Sequence, residues 1–310
     1  MNYILQKRNY PLVKMNYEII SRNTTFSLAL LENNEHNSKE TVDISISYFL
    51  DKEKDLPINK QNTIKLSHLG NYKCNSCTKV VKKLFDGFCF PCFKYKACAD
   101  KCIMSPHLCH YMNGTCREPA WGDAYCYQPH YVYLSFTDKF KVGITRETQV
   151  PTRWIDQGAT SAALLAKVSS RNQAGILEHK LKEIIHDKSH WLNMLKSGNE
   201  RPTTSLFHET YYKISDWIKS NSLLESNDFK AKLPSHLNLK NEILLFEKPT
   251  ILNIEYPFPD QVNKYQSINL EKNSIFEDEI LGIKGQYLIF KNHVFNVRKH
   301  EGFFVDFDIT

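Results

Sequence analysis

The chain has 310 residues, 42% of them apolar, and a formal net charge of +6. That is enough apolar material for a real core in one large domain or in two to three small ones. The longest apolar runs, such as "LALL" and "AALL", are too short to cross a bilayer, and the opening "MNYILQKRNYPLVKM" is broken by charge and by Pro11 and does not resemble a signal peptide, so a soluble, cytoplasmic protein is expected.

Residues 1–70 read as a β segment. "VDISISYF" alternates apolar and polar residues with the period of two that marks a strand with one buried face, and "NTIKLSHLG" leads into the first cysteine pair. Residues 71–130 are cysteine-rich, and all nine cysteines fall between 74 and 126. Without a secretory signal such clustering favours metal over disulfides. "CNSC" (Cys74, Cys77) and "CFPC" (Cys89, Cys92) are separated by eleven residues. Each C-x-x-C lets one tight turn present two thiolates, and two such turns complete a tetrahedral zinc site. The next stretch, "CADKCIMSPHLCHYMNGTC", offers Cys98, Cys102, Cys109 and Cys116 for a second zinc, with Cys126, His107, His110 and His130 as further candidate ligands. Both ions are expected to be structural, since bound metal can supply the folding free energy that a segment poor in apolar residues lacks.

Residues 131–220 read as an α/β unit. In "YVYLSFTDKFKVGIT" the even positions Val132, Leu134, Phe136, Phe140, Val142 and Ile144 are apolar, whereas the odd positions carry Tyr131, Tyr133, Ser135, Lys139, Lys141, Gly143 and Thr145. Two strands joined by the three-residue turn "TDK" follow. In that register position 135 faces 141 and 133 faces 143, so Tyr133 and Lys141 are diagonal neighbours on one polar face. Gly143 opposite Tyr133 is expected to leave room there for a phosphate backbone. Pro151 suits the first turn of a short helix carrying Arg153, and Gly158 suits its end. "SAALLAKVSS" is a third strand. "RNQAGILEHKLKEIIHD" is a helix with Asn172 as candidate cap and Ala174, Leu177, Leu181, Ile184 and Ile185 as its apolar stripe. Glu178 lies at the margin of that stripe and is aimed towards the sheet; the plainer reading pairs it with Lys182 at i,i+4. Residues 221–250 are polar and poorly periodic and read as a linker. Residues 251–310 return to strands ("GQYLIF", "HVFNVR", "FFVDF"), expected to pair with residues 1–70 into one small β domain.

The basic excess lies in the middle of the chain. Residues 71–220 hold 21 Lys/Arg against 13 Asp/Glu. A basic middle suits a polyanionic partner, DNA or RNA.

Hairpin, short helix with Arg153, strand, helix with Glu178: this order resembles the GIY-YIG nuclease superfamily over about residues 128–200. "YVY" (131–133) stands at the first triplet and "KVG" (141–143) at the second, with Tyr131 in place of the first Gly and Lys141 in place of the second triplet's Tyr. Asn193 is the candidate for the superfamily's late Asn. The chain as a whole is similar to a bacterial family known as domain of unknown function 2797, on "GFCFPC", "LCHYMNGTCREPAWGDAYC", "QPHYVYLS", "KVGITR", "PTRWIDQGA" and "LGIKGQYLIF". The expected fold is therefore α+β: a small GIY-YIG-like α/β sandwich, preceded by the zinc segment and flanked by the β domain built from both ends.

The nuclease resemblance implies a metal-dependent phosphodiesterase. Glu178 would bind Mg²⁺ or Mn²⁺, Lys141 and Arg153 would neutralise charge developing on the phosphate, and Tyr133 would help activate water. A phenol's ordinary pKa of about 10 requires nearby cations or metal for that role. The alternatives are a non-catalytic nucleic-acid-binding module on the same scaffold and a protein-interaction scaffold with purely structural zinc.

Overall fold

The computed structural model describes all residues except 1–4, 21–25, 33–39, 52, 54–55, 186–189, 222–223, 225–228, 230–232, 238–242 and 260–264. The described residues form three sheets in a mixed α+β fold. The first runs in the order β1 (Leu5–Pro11), β17 (Phe303–Ile309), β5 (Thr63–Lys73), β13 (Ile275–Glu279), with β6 (Val80–Val81) paired to β5. The second runs β2 (Asn16–Ile20), β3 (Thr41–Phe49), β11 (Ile251–Glu255), β9 (Ser161–Val168), β7 (His130–Phe136), β8 (Phe140–Arg146); β4 (Pro57–Ile58) pairs with β3 and β10 (Ile243–Leu245) with β9. The third runs β12 (Gln266–Ser267), β16 (His293–Asn296), β15 (Tyr287–Ile289), β14 (Gly282–Lys284). The helices are α1 (Leu28–Leu31), α2 (Phe90–Tyr95), α3 (Lys101–Met104), α4 (Pro119–Tyr125), α5 (Thr152–Asp156), α6 (Arg171–Leu181), α7 (Trp191–Lys196) and α8 (Thr204–Ser220). None of the described helices is long and apolar enough to cross a membrane.

Chain ends meet in the first sheet, where Leu5 stands opposite Ile309. The segment read as one N-terminal unit is divided, however. β1 and β5 belong to this sheet, while β2 and β3 extend the central sheet, where β3 runs parallel to β11. The alternation in "VDISISYF" reports a strand with one buried face but not which sheet it joins. Within the segment read as linker, Ile243–Leu245 is a strand on β9, and much of the rest lies outside the described residues.

The hairpin differs from expectation in one respect. Its parity predicts one buried face, yet Tyr131, Val132, Tyr133, Leu134 and Ser135 are all buried. Two cores explain this. Val132, Leu134, Ala163 and Leu165 pack with Ala174, Leu177 and Leu181 of α6 and Phe207, Tyr211 and Ile214 of α8. Tyr131, Tyr133 and Leu164 pack with Trp154 and Ile155 of α5 and with the C-terminal strands. The ring of Tyr133 is covered by Trp154 of α5 and that of Tyr131 by Phe246, neither of which the alternation within the hairpin announces.

The cap of α6 is Ser170, whose side chain accepts from Gln173 N, rather than the expected Asn172. Asn172 Nδ2 instead donates to the Pro106 carbonyl at 3.0 Å. At the end of α7, fully buried Lys284 donates to the Met194 carbonyl (3.0 Å) and to that of Gly198. The Met194 carbonyl also accepts from Ser197 Oγ at 2.9 Å, so the Lys284 amine adds a second donor at the end of this short helix.

Candidate functional site: a basic cleft and a cysteine metal centre

Strands β7 and β8 pair through the turn Thr137–Asp138–Lys139, with Tyr133 opposite Gly143 and Ser135 opposite Lys141. Tyr133 and Lys141 thus share one sheet face. The space above Gly143 is not left for a ligand, as the sequence suggested. A Cβ at position 143 would lie 2.6 Å from the Tyr133 hydroxyl and 2.7 Å from its Cζ, so the glycine makes room for that ring. The ring meets Trp154 edge-on at 5.6 Å, which fixes its direction. Its hydroxyl is held by Gln157. A guanidinium only donates, so the Gln157 amide turns its oxygen to Arg153 Nη2 (3.2 Å) and Nε (3.3 Å) and donates from its nitrogen to the Tyr133 hydroxyl (2.8 Å). Sequence reasoning missed Gln157; its signal is the i,i+4 spacing from Arg153 in "PTRWIDQGA".

A cleft of about 770 Å³ runs along β8, the edge strand of the central sheet. Because the cleft follows an edge, residues from both sheet faces reach it. Tyr133, Lys141, Arg153 and Gln157 approach from one side, and Glu178 and Lys182 from α6 on the other. The Glu178 side chain is 17% exposed and lies 3.9 Å from Lys182, the i,i+4 pairing of the plainer reading. Lys141 lies 4.0 Å from Asp138. Seven Lys/Arg line the cleft (Lys14, Lys141, Arg146, Arg153, Arg171, Lys182 and Arg298) against two carboxylates, Asp156 and Glu178.

Asp156 is bound into the fold, pairing with Lys14 (3.1 Å) and Arg298 (3.5 Å) and accepting from Gln286 (2.9 Å). Neither Asp156 nor its cationic partners were singled out from sequence. Asn193 is exposed on α7 and is not among the residues lining the cleft.

The metal centre is built from two turns. The first leaves β5 at Cys74, whose carbonyl accepts from Thr78 N at 3.0 Å. The second carries Gly87 in a left-handed conformation (φ +86°), where a Cβ would meet the Asn75 side chain at 2.6 Å, and leads to Cys89 at the start of α2. The ligand atoms of Cys74, Cys77, Cys89 and Cys92 all lie within 4.8 Å of one another, with Cys77 Sγ 3.6 Å from Cys89 Sγ. Burial pushes the Cys74 thiol up, but N–H groups of Cys89, Cys77 and Ser76 outweigh it and bring it to about 6. Burial and the neighbouring thiols push Cys92 up to about 12. Four crowded thiols that cannot all ionise alone are what a tetrahedral thiophilic cation such as zinc resolves.

Residues 61–305 match the family model described as "Protein of unknown function (DUF2797)". The chain belongs to this family. No curated protein and no solved structure matches it. The DUF2797 match takes in every cysteine, the β7–β8 hairpin, α5, α6 and Arg298, and leaves Lys14 outside.

Within the DUF2797 region, the other expected ligands are distributed as follows. Asp100, Cys102 and His110 present ligand atoms within 4.8 Å of one another. Cys102, Cys109, His110, Cys116 and Cys126 line one small void, which Cys98 does not. His107 stacks on His179 at 4.1 Å. His130 is buried, with Nδ1 on the Gln128 carbonyl at 2.7 Å, and burial pushes its pKa down to about 4.

Proposed function

We propose that the cleft along β8 binds a nucleic-acid backbone and hydrolyses it as a metal-dependent phosphodiesterase. The observation that carries this reading is the lining charge, seven cations against two carboxylates, each of which already lies within 4.0 Å of a lining cation. Such a surface attracts phosphates. Trp191 and Tyr287, stacked with 13° between their planes, line the same cleft and offer a flat apolar surface to a base. The order of hairpin, Arg153, strand and Glu178, and its resemblance to the GIY-YIG nucleases, supports the catalytic part.

In this reading Glu178 holds one Mg²⁺ or Mn²⁺, which needs few protein carboxylates because it keeps several waters. Tyr133 would relay a proton from the attacking water to solvent, as the water's oxygen bonds to phosphorus and the P–O bond to the leaving group breaks. The leaving oxygen ends protonated by water. Arg153 and Lys141 stabilise the added negative charge. Zinc at Cys74, Cys77, Cys89 and Cys92 is structural. A second reading, a binding module without chemistry, is favoured by one observation: among the described residues no trio of metal-ligating side chains gathers in the cleft. A cleavage assay on mixed DNA and RNA with Mg²⁺ and Mn²⁺, run beside a binding assay, tests the proposal. Cleavage that requires the divalent ion is expected; binding without cleavage leaves the binding module, and neither removes both.

A further inference from the structure

The loop between Cys102 and Cys109 forms one wall of the cleft, through Ile103, Met104 and Pro106. It is also fastened to α6, the helix that carries Glu178. Arg171 Nη2 donates to the Ile103 carbonyl at 2.5 Å, and Asn172 to that of Pro106 at 3.0 Å. A Cβ at Gly175 would meet Pro106 Cβ at 2.5 Å, so the loop lies directly on the helix backbone.

Behind this loop Cys102, Cys109, Cys116 and Cys126 surround a void of about 20 Å³, room for one small ion. Arg171 lies beside it. Its backbone N–H donates to the Cys126 carbonyl at 2.8 Å. Its Nε is buried with no hydrogen-bond partner. A half-buried guanidinium whose Nε lacks an acceptor is poorly compensated next to neutral thiols; next to four metal-bound thiolates, which keep net negative charge, it gains a counterion and a sulfur acceptor. His110 is engaged elsewhere, with Nδ1 2.8 Å from Thr115 Oγ1 and Nε2 3.5 Å from Asp100. Asp100 in turn pairs with Arg117 at 2.6 Å and accepts from Cys102 N at 3.1 Å. These contacts suit groups that orient a metal ligand better than ligands themselves.

We propose that Cys102, Cys109, Cys116 and Cys126 hold a second zinc ion, and that this ion fixes the 103–108 loop against α6 and so shapes the cleft wall beside Glu178. Cys98 is then the one cysteine outside both sites. The assignment does not depend on whether the cleft cleaves anything.

Zinc content of the purified full-length chain tests it. Wild type is expected to hold two ions per chain, Cys102→Ser and Cys126→Ser one each, and His110→Ala and Cys98→Ser two each. In Cys126→Ser, amide exchange in residues 103–108 is expected to speed up tenfold or more while β9 stays protected, which shows that the fold survives. If the serine variants do not fold, alkylation of native wild type decides: Cys98 is expected to react, whereas half-exposed Cys102 and Cys116 react only after a chelator strips zinc. One zinc in wild type, two in Cys126→Ser, loss of an ion in His110→Ala, or Cys102 and Cys116 reacting as fast as Cys98 would each overturn the assignment.

Discussion

Tyr133 and Gly143 face each other across the β7–β8 ladder, and the tyrosine ring lies over the glycine so closely that even a methyl group at 143 would stand 2.6 Å from the hydroxyl. The pair forms a lock in which one residue's missing side chain sets the other's direction. Because Tyr133 is buried against Trp154, its ring has little room to retreat. Gly143→Ala is therefore expected to destabilise the fold by about 1–3 kcal/mol, the usual cost of overpacking. Urea denaturation measures it, and a change below about 0.5 kcal/mol would show that the ring moves freely.

Glu178→Gln is expected to abolish metal-dependent cleavage while the fold persists. The swap keeps size and shape but removes the charge that holds a divalent cation. The loss should appear in rate, on the order of a hundredfold or more. Binding, carried by Lys and Arg, should survive or tighten slightly. Equal cleavage by wild type and variant would refute the placement of the metal.

Lys141→Ala and Arg153→Ala are expected to weaken nucleic-acid binding across sequences alike. Each should lower the slope of log affinity against log salt by about one, the signature of a lost phosphate contact. Arg153→Ala should cost more, since it also removes the anchor for Gln157 and hence for the Tyr133 hydroxyl. Unchanged slopes in fluorescence-anisotropy titrations would place the phosphates elsewhere.

If Cys74, Cys77, Cys89 and Cys92 hold zinc, replacing Cys92 with serine is expected to release it and to unfold the segment around it. That segment's cluster contains Cys74, Cys89 and Cys92 as its buried members, with Val81, Leu84 and Phe88 only partly buried around them. So little apolar area cannot offset the chain entropy, and metal must. Exchange-protected amides over residues 74–92 in zinc-free Cys92→Ser would contradict this.

Lys284 provides a pH-dependent effect remote from any zinc. Burial pushes its pKa down to about 7, against about 10.4 in an unfolded chain. Between those values the unfolded chain keeps the proton and the folded chain releases it. Stability is therefore expected to rise with pH from about 7 to about 10 and to be flat in this respect below 7. Relative to Lys284→Met, wild type should gain at most about 1.4 kcal/mol per pH unit across that window. Paired denaturation curves at pH 7 and 9 measure the difference; no change between them would mean that Lys284 remains charged in the fold.

What the sequence made legible was local. Parity in 131–145 gave the hairpin register residue by residue, the two C-x-x-C pairs gave a four-cysteine cluster able to hold a metal, and the stripe from Ala174 to Leu181 gave α6. What it hid depends on distance along the chain. The second buried face of β7 is covered by Trp154 of α5 and by Phe246, both outside the stretch that a period-two pattern reads. Lys14 and Arg298 reach Asp156 from opposite ends of the sequence, and nothing in either neighbourhood marks them. Ser170 and Asn172 are both good capping residues, and only the backbone path out of β9 decides between them. Gly143 was noticed but misread, because an absent side chain looks the same whether it admits a ligand or a neighbour's ring.

The position of β17 bears on how the chain acquires its fold. That strand lies between β1 and β5, with Leu5 and Ile64 both pairing with Ile309. Residues 5–11 are synthesised about 300 residues before the strand that pairs with them. While translation proceeds, β1 and β5 have no β17 between them, and their unpaired edges are available to other chains. The central sheet is also left waiting, since β3 cannot reach β9 until residues 251–255 have been made. The pairings made by β11 and β17 thus wait until residues 251–255 and 303–309 have been made, and until then the nascent chain needs its unpaired edges kept apart.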